Sequence, residues 1–176
     1  MPRVASMRVA RKEPTAPNDA SMSFAYQRCM HAKKVIRRTN VQYAALPYRA
    51  SDHSGLEVLL VTTRTAKKWI IPKGWPVEGK PPHATAAQEA HEEAGLIGRI
   101  TKQAIGSYSY ENRMKNGAAV NCEVHVFPME VTGQAKRWPE KGEREVQWFS
   151  SAEAAATIED PILSSLIRDF EVGRFR

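Results

Sequence analysis

The sequence predicts an α/β domain built on a mixed β-sheet with helices covering both faces. Three observations predict it. Short apolar strands precede residue 72, one helix-forming segment follows them, and further strands ending near residue 149 lead into two C-terminal helix starts. Elements that alternate in this way bury a sheet on both sides.

Taken in order, Met1 to Ala20 mixes Pro, Ser, Arg and Asn without periodicity, the pattern of a poorly ordered tail. Its acid-poor, Arg-bearing character faintly resembles an organelle transit peptide, but a solvated tail accounts for it better. A basic helical turn or two fits Phe24 to Arg38, and Thr39 begins the folded part. The expected division is therefore a basic extension over residues 1–38 and a domain over residues 39–172. Val41 to Leu46 is short and mostly apolar. Val58-Leu59-Leu60-Val61 is a compact run suited to a buried strand, and Trp69 to Ile71 is another short strand stopped by Pro72 and Gly74. Pro81-Pro82 opens a helix that runs to Ala94, with Gly95 as the residue that ends it. Val120, Cys122, Val124 and Val126 alternate with polar residues, the signature of a half-buried strand, and Val146 to Phe149 reads as one more. Ser150 with Glu153 makes a capping box. Asp160-Pro161 starts a last helix that places Leu163, Leu166, Ile167 and Phe170 on one face.

Composition sets the class. With 42% hydrophobic and 26% charged residues, 176 residues make one well-cored domain. No stretch approaches the roughly 20 apolar residues of a membrane span, and no apolar secretory segment follows the N-terminus, so a soluble, cytoplasmic protein without membrane contact is expected. Cys29 and Cys122 form no CxxC or zinc spacing and fit a reducing compartment. The net charge of +7 is local: residues 1–38 hold nine Lys/Arg against two Asp/Glu, leaving 17 of each sign elsewhere. The excess belongs to the extension, which has few interleaved aromatics, so nucleic acid is not the expected partner.

The segment Gly74 to Leu96 carries the chemistry. Glu89, Glu92 and Glu93 stand at i, i+3 and i+4, within an arc of about 100° on one helix face. Three carboxylates so close repel unless a cation sits among them, and oxygen-only donors favour magnesium, manganese or calcium over zinc. Alone, the three acids read first as a solvated face, and the context reverses that. Pro72-Lys73-Gly74 just before the helix adds a loop able to present a bare carbonyl and a cation to the same place. Two other motifs fail. Gly74 to Lys80 fits most of GxxxxGK[ST], but Pro81 replaces the hydroxyl residue and Pro76 removes an amide; His91-Glu92 begins HExxH, but Gly95 stands where the second His belongs.

The run from Gly74 to Leu96 resembles the Nudix box: Gly, five residues, Glu, seven residues, Arg-Glu, apolar, any, Glu-Glu, any, Gly, apolar. Gly74, Glu89, Ala90, Glu92-Glu93 and Gly95-Leu96 match it, while Lys80 stands for the first glutamate and Gln88 for the arginine. The box covers 23 residues; the order of elements extends the likeness to Thr39 through Phe170. Trp69 to Gly74 is also similar to the lead-in of Nudix enzymes acting on diadenosine and diphosphoinositol polyphosphates.

The resemblance implies a Nudix α/β/α sandwich hydrolysing a phosphoanhydride bond in a small phosphorylated substrate with Mg2+, or Mn2+ in its place. It implies Glu89, Glu92, Glu93 and the Gly74 carbonyl as metal ligands, with Glu92 and Glu93 the strongest and Glu89 a ligand or proton acceptor. A further acid from a later loop is expected, with Glu143 and Glu145 as candidates. Arg64, Lys73 and Lys80 are candidates for phosphate contact, with Arg113 and Lys115 behind them, and Trp75 is a candidate substrate-facing ring. The competing readings are a non-catalytic polyphosphate or nucleotide sensor, prompted by Lys80 and Gln88, and a pyrophosphohydrolase of RNA served by the basic extension. Nothing in the sequence specifies an oligomeric state.

Overall fold

The computed structural model describes residues 40–51, 55–113, 117 and 119–170. The extension, including the helical turns considered for Phe24 to Arg38, lies outside the described residues, as does Lys115.

The strands are β1 (Asn40–Ser51), β2 (Gly55–Thr62), β3 (Trp69–Ile70), β4 (Lys73–Gly74), β5 (Leu96–Ile100), β6 (Gly106–Arg113), β7 (Ala119–Gln134) and β8 (Val146–Ser150). The helices are α1 (Pro82–Ala94), α2 (Ser151–Thr157) and α3 (Pro161–Arg168). The sheet runs β3-β2-β1-β7-β5, with β4 paired to β1, β6 to β7 and β8 to β2. Its centre is the parallel pair β1–β7, in register from Asn40 opposite Cys122 to Tyr48 opposite Glu130, whereas the other pairings are antiparallel. The sheet is mixed, as the sequence predicts.

Period-2 alternation sorts the strand side chains into two cores. Ala44, Leu46, Val58, Leu60, Val124 and Val126 face α2 and α3, where Ala154, Ala155, Leu163 and Ile167 meet them. Ala45, Leu59, Val61, Phe127 and Met129 face α1 and its small stripe Ala86, Ala90 and Ala94, all three fully buried. Alanines on that stripe let the helix lie close against the sheet, which fixes where its other side chains project. The predicted sandwich is therefore the observed one.

Local signals explain the helix ends. Pro82 occupies the first turn of α1, and the Pro81 carbonyl accepts from Ala84 and Thr85. Gly95 closes the helix at φ 70°, and a side chain there would press into the Trp138 ring. Ser150 and Glu153 form the predicted capping box, and Asp160 accepts from the amides of Ile162 and Leu163. Residues 134–140 then cover the C-terminal end of α1. Gln134 donates to the Ala94 carbonyl at 2.8 Å, the Ala135 amide to Gly95 at 2.8 Å and the Glu140 amide to Glu92 at 3.0 Å. Carbonyls that a helix end leaves without partners are satisfied there by one loop, which ties that loop to the acidic turn. Among the described residues no helix is long and apolar enough to cross a membrane.

Candidate active site

Helix α1 and strand β4 bring the acidic turn and the glycine together. Gly74 is buried, and the Glu89 carboxyl group lies so tightly on it that a Cβ at position 74 would overlap that group. Only glycine leaves the room. Glu93, one turn further along, is 3% exposed; its Oε1 receives Arg144 Nη2 at 2.5 Å, and its Oε2 is buried with no hydrogen-bond partner. Glu92 is half-buried and its Oε1 receives the Gln88 amide at 2.7 Å. The helical spacing thus sets the three acids on one face, but each side chain takes a separate neighbour. Among the described residues no three His, Cys, Asp or Glu side chains close into a metal cluster.

Two residues that sequence reasoning did not single out complete the arrangement. Arg144 reaches from the segment before β8, donating through Nη1 to the Thr62 carbonyl at 3.0 Å and through Nε to Glu140 at 2.7 Å, as well as to Glu93. Glu140 is the acid from the later loop that stands over the site, and its charge raises the pKa of both Glu89 and Glu93. The two acids singled out for that role lie elsewhere. Glu143 is half-exposed and pairs with Arg64 Nε at 3.0 Å, and Glu145 is exposed with its backbone bonded to Thr62. Nothing in WPEKGERE separates Glu140 from its neighbours except its spacing, four residues ahead of Arg144.

Electrostatics follow from this crowding. Burial pushes the Glu93 carboxyl up to about 7, opposed by Arg144 and reinforced by Glu140 and Glu89. Burial also raises Glu89, with the charges of Glu92 and Glu140 adding to it. Buried acids with raised pKa and an orphaned oxygen, beside a glycine that admits a carboxylate to its backbone, fit a hard divalent cation, because such an ion supplies the charge and coordination the oxygens lack.

The candidate phosphate-contact residues are spread around this centre. Arg64 pairs with Glu140 and Glu143, and Lys80 donates to Gln88 at 2.6 Å. Arg113 ends β6. Trp75, on the loop after β4, is 44% exposed. Lys73 points the other way from the acids' own contacts, donating to Gln42 at 3.0 Å and to the Tyr110 hydroxyl at 2.8 Å, with its ammonium 4.4 Å from the Tyr110 ring centroid. Burial lowers its pKa, with Glu93 opposing.

Beyond Lys73 opens a cavity of about 220 Å³, walled by Trp69, Ile70, Tyr108, Tyr110, Ile158 and Leu163 and charged by Lys68, Lys73, Glu159 and Asp160. Tyr108 is 5% exposed, and its hydroxyl is buried without a partner. Burial raises both tyrosines, Tyr110 to about 12. Because the folded pKa lies above the ordinary 10, the protonated folded form is favoured, and the associated stability is lost as pH rises from about 10 through 12. In an alkaline absorbance titration at 295 nm, Tyr110→Phe is expected to remove a chromophore that ionises near 12 and to leave the transition near 10 unchanged; loss of amplitude near 10 instead would contradict this placement.

A mixed sheet between an acidic helix and a helix pair, with that helix's glutamates set against a preceding glycine, defines a Nudix-type domain. The chain belongs to that family: the model of the NUDIX domain matches residues 39–170. Nudix hydrolase 21, chloroplastic, of Arabidopsis thaliana is 33% identical over 113 residues, covering 62% of this chain and 54% of that protein. Diphosphoinositol polyphosphate phosphohydrolase 3-alpha of Mus musculus is 25% identical over 122 residues, covering 66% of this chain and 70% of that protein. The solved C. elegans Ap4A hydrolase shares the fold with a TM-score of 0.53 at 17% identity, over 74% of this chain and 94% of that one. The chain thus spans about half the length of its Arabidopsis relative.

Proposed function

We propose that the domain hydrolyses a phosphoanhydride bond in a nucleotide-type polyphosphate, with Mg2+ or Mn2+ held by Glu89, Glu92, Glu93 and the Gly74 carbonyl. The observation that carries this reading is the buried, unpartnered Oε2 of Glu93 beside a Glu89 seated on glycine. Divalent cations neutralise the shielding phosphate oxygens and activate water. The chain's own residues do the rest. Gly74 and the close-packed alanine stripe fix the carboxylates, Glu89 would serve as metal ligand or as proton acceptor, and Lys73 on the cavity wall would supply a cation for the remaining phosphates.

The cavity supports one of the two substrate classes that Trp69 to Gly74 suggests over the other. Its Trp and Tyr walls suit the flat face of a nucleobase. A diphosphoinositol polyphosphate needs many cations, whereas Arg64, Lys68, Lys80 and Arg144 all engage acids or an amide of the chain itself. We therefore favour a dinucleoside polyphosphate, the class for which the C. elegans Ap4A hydrolase is named. The reading places the reaction in the cytoplasm; the chloroplast named for the Arabidopsis relative is the competing compartment, and cell fractionation decides it.

The test is phosphate or nucleotide release from dinucleoside polyphosphates, ADP-ribose, nucleoside triphosphates and diphosphoinositol phosphates with each metal. Turnover of the dinucleoside class first, abolished by chelation, is the expected result. Turnover of the inositol class alone would overturn the substrate assignment. An intact fold that binds these ligands and cleaves none would establish the sensor reading, which the Lys80 and Gln88 departures prompt. For RNA, deletion of residues 1–38 is the decisive variant: unchanged rates on triphosphorylated RNA would remove the extension from the mechanism. Gly74→Ala is expected to lower kcat about 100-fold with the fold retained, since displacement of a positioned group by about 1 Å costs that much. A kcat within threefold of the parent would dismiss the role of the glycine contact.

A further inference from the structure

The two departures from the Nudix box touch each other and reach an acid of the site. Lys80 Nζ donates to Gln88 Oε1 at 2.6 Å, and Gln88 Nε2 donates to Glu92 Oε1 at 2.7 Å. Gln88 lies one helical turn before Glu92, so the two side chains share a face of α1. The loop that delivers Lys80 is a tight turn closed by the Lys80 amide on the Val77 carbonyl at 3.1 Å, with Gly79 at φ 75°.

An amide is polar end to end. Its nitrogen must face Glu92, which accepts only, so its oxygen faces position 80 and requires a donor there. A glutamate at 80 beside Gln88 would set acceptor against acceptor, and an arginine at 88 beside Lys80 would set donor against donor. Each departure therefore makes sense only with the other. The pair also differs in charge from the arrangement it replaces. Glu92 receives a neutral amide, and the positive charge stands one hydrogen bond further away, so no guanidinium competes for the carboxylate that an incoming cation needs.

We propose that Lys80 and Gln88 act as a relay of positioning residues that holds the Glu92 carboxylate for a divalent cation without neutralising it. The inference rests on the proposed role of Glu92 as a ligand, and it assigns Lys80 to the carboxylate rather than to substrate phosphate.

The test is Mn2+ binding to the full chain by calorimetry, with no substrate present, alongside thermal melts in EDTA. Gln88→Leu and Lys80→Glu are each expected to weaken Mn2+ binding about tenfold, the range seen when a group orienting a metal ligand is removed. Lys80→Glu is the sharper variant. It adds a negative charge near the site, so simple electrostatics predicts tighter binding and the relay predicts weaker binding. The double variant Lys80→Glu with Gln88→Arg restores donor-to-acceptor matching but sets a guanidinium against Glu92, so it is expected to bind Mn2+ more tightly than either single variant and still more weakly than the parent, an ordering a merely structural defect would not give. Parental affinity in Gln88→Leu, tighter binding in Lys80→Glu, or a double variant no better than the singles would each overturn the relay. Glu92→Gln separates the two layers. If it loses Mn2+ while Gln88→Leu does not, the relay alone fails; if Glu92→Gln binds Mn2+ as the parent does, the ligand assignment fails and the relay with it. Melting temperatures in EDTA within a few degrees of the parent show that the variants fold.

Discussion

Glu93→Gln is expected to lower kcat about 1000-fold on whichever polyphosphate the domain cleaves best, while leaving the melting temperature in EDTA unchanged or higher. Both halves come from one environment. The carboxyl is 3% exposed, one oxygen is unpartnered, and burial holds its pKa near 7. A buried charge in that position is costly to fold and is retained where function needs it. The neutral amide keeps the shape and removes the charge, so the stability that Glu93 costs the folded protein is recovered as its chemistry is lost. The linkage has a definite sign. The folded pKa lies above 4.5, so the stability is present at low pH and is lost as pH rises from about 4.5 through about 7. Melting temperatures measured across that window should fall more steeply for the parent than for Glu93→Gln. Equal slopes, or a variant that turns over at the parental rate, would contradict the assignment.

Arg144→Met is expected to have the largest effect on stability, about 3 to 5 kcal/mol in metal-free buffer near pH 8, the usual consequence of leaving a buried ion-pair partner uncompensated. Arg144 is the cation between Glu93 and Glu140, with a side chain only 10% exposed. Without it two acids face each other in a poorly hydrated place. Two conditions should relieve the defect. Acidification protonates Glu93, whose pKa rises further once Arg144 no longer lowers it, and so shrinks the loss as pH falls. Saturating Mn2+ replaces the missing charge and is expected to return about 2.7 kcal/mol at a hundredfold excess over its dissociation constant. Denaturant melts at pH 6 and pH 8, with and without Mn2+, check this. A variant as stable as the parent in EDTA at pH 8 would show that the arginine is dispensable to the acids.

Much of the fold was legible because its signals are local. Pro82 and Gly95 bound α1, Ser150 with Glu153 starts α2, and Asp160-Pro161 starts α3, each through a hydrogen bond or a backbone angle set within a few residues. Strands β5 and β6 were not singled out, for a physical reason. In β5, Ile97, Gly98 and Arg99 are all exposed, so it shows no alternation, and in β6 the alternation of exposed Ser107, Ser109 and Glu111 with inward Tyr108 and Tyr110 rests on two tyrosines among polar residues, with no aliphatic side chain to mark a buried face. They are strands because β7 pairs with them, a long-range fact. The same distinction runs through the site. The glutamates and Gly74 belong to one spaced motif, whereas Glu140 and Arg144 arrive on a loop that is anchored to the end of α1 through Glu92, Ala94 and Gly95. The choice of Glu143 and Glu145 shows how little proximity to a strand says about which acid turns inward.

The parallel pairing of β1 with β7 also bears on how the chain is made. Asn40 must wait for Cys122 and Tyr48 for Glu130 before the middle of the sheet exists. At a synthesis rate of roughly 5 to 20 residues per second, that delay is on the order of 4 to 16 s. Throughout it the first strand leaves the ribosome with one long edge unmatched, and a nascent chain halted before Gln134 should therefore stay open to proteases and chaperones until release.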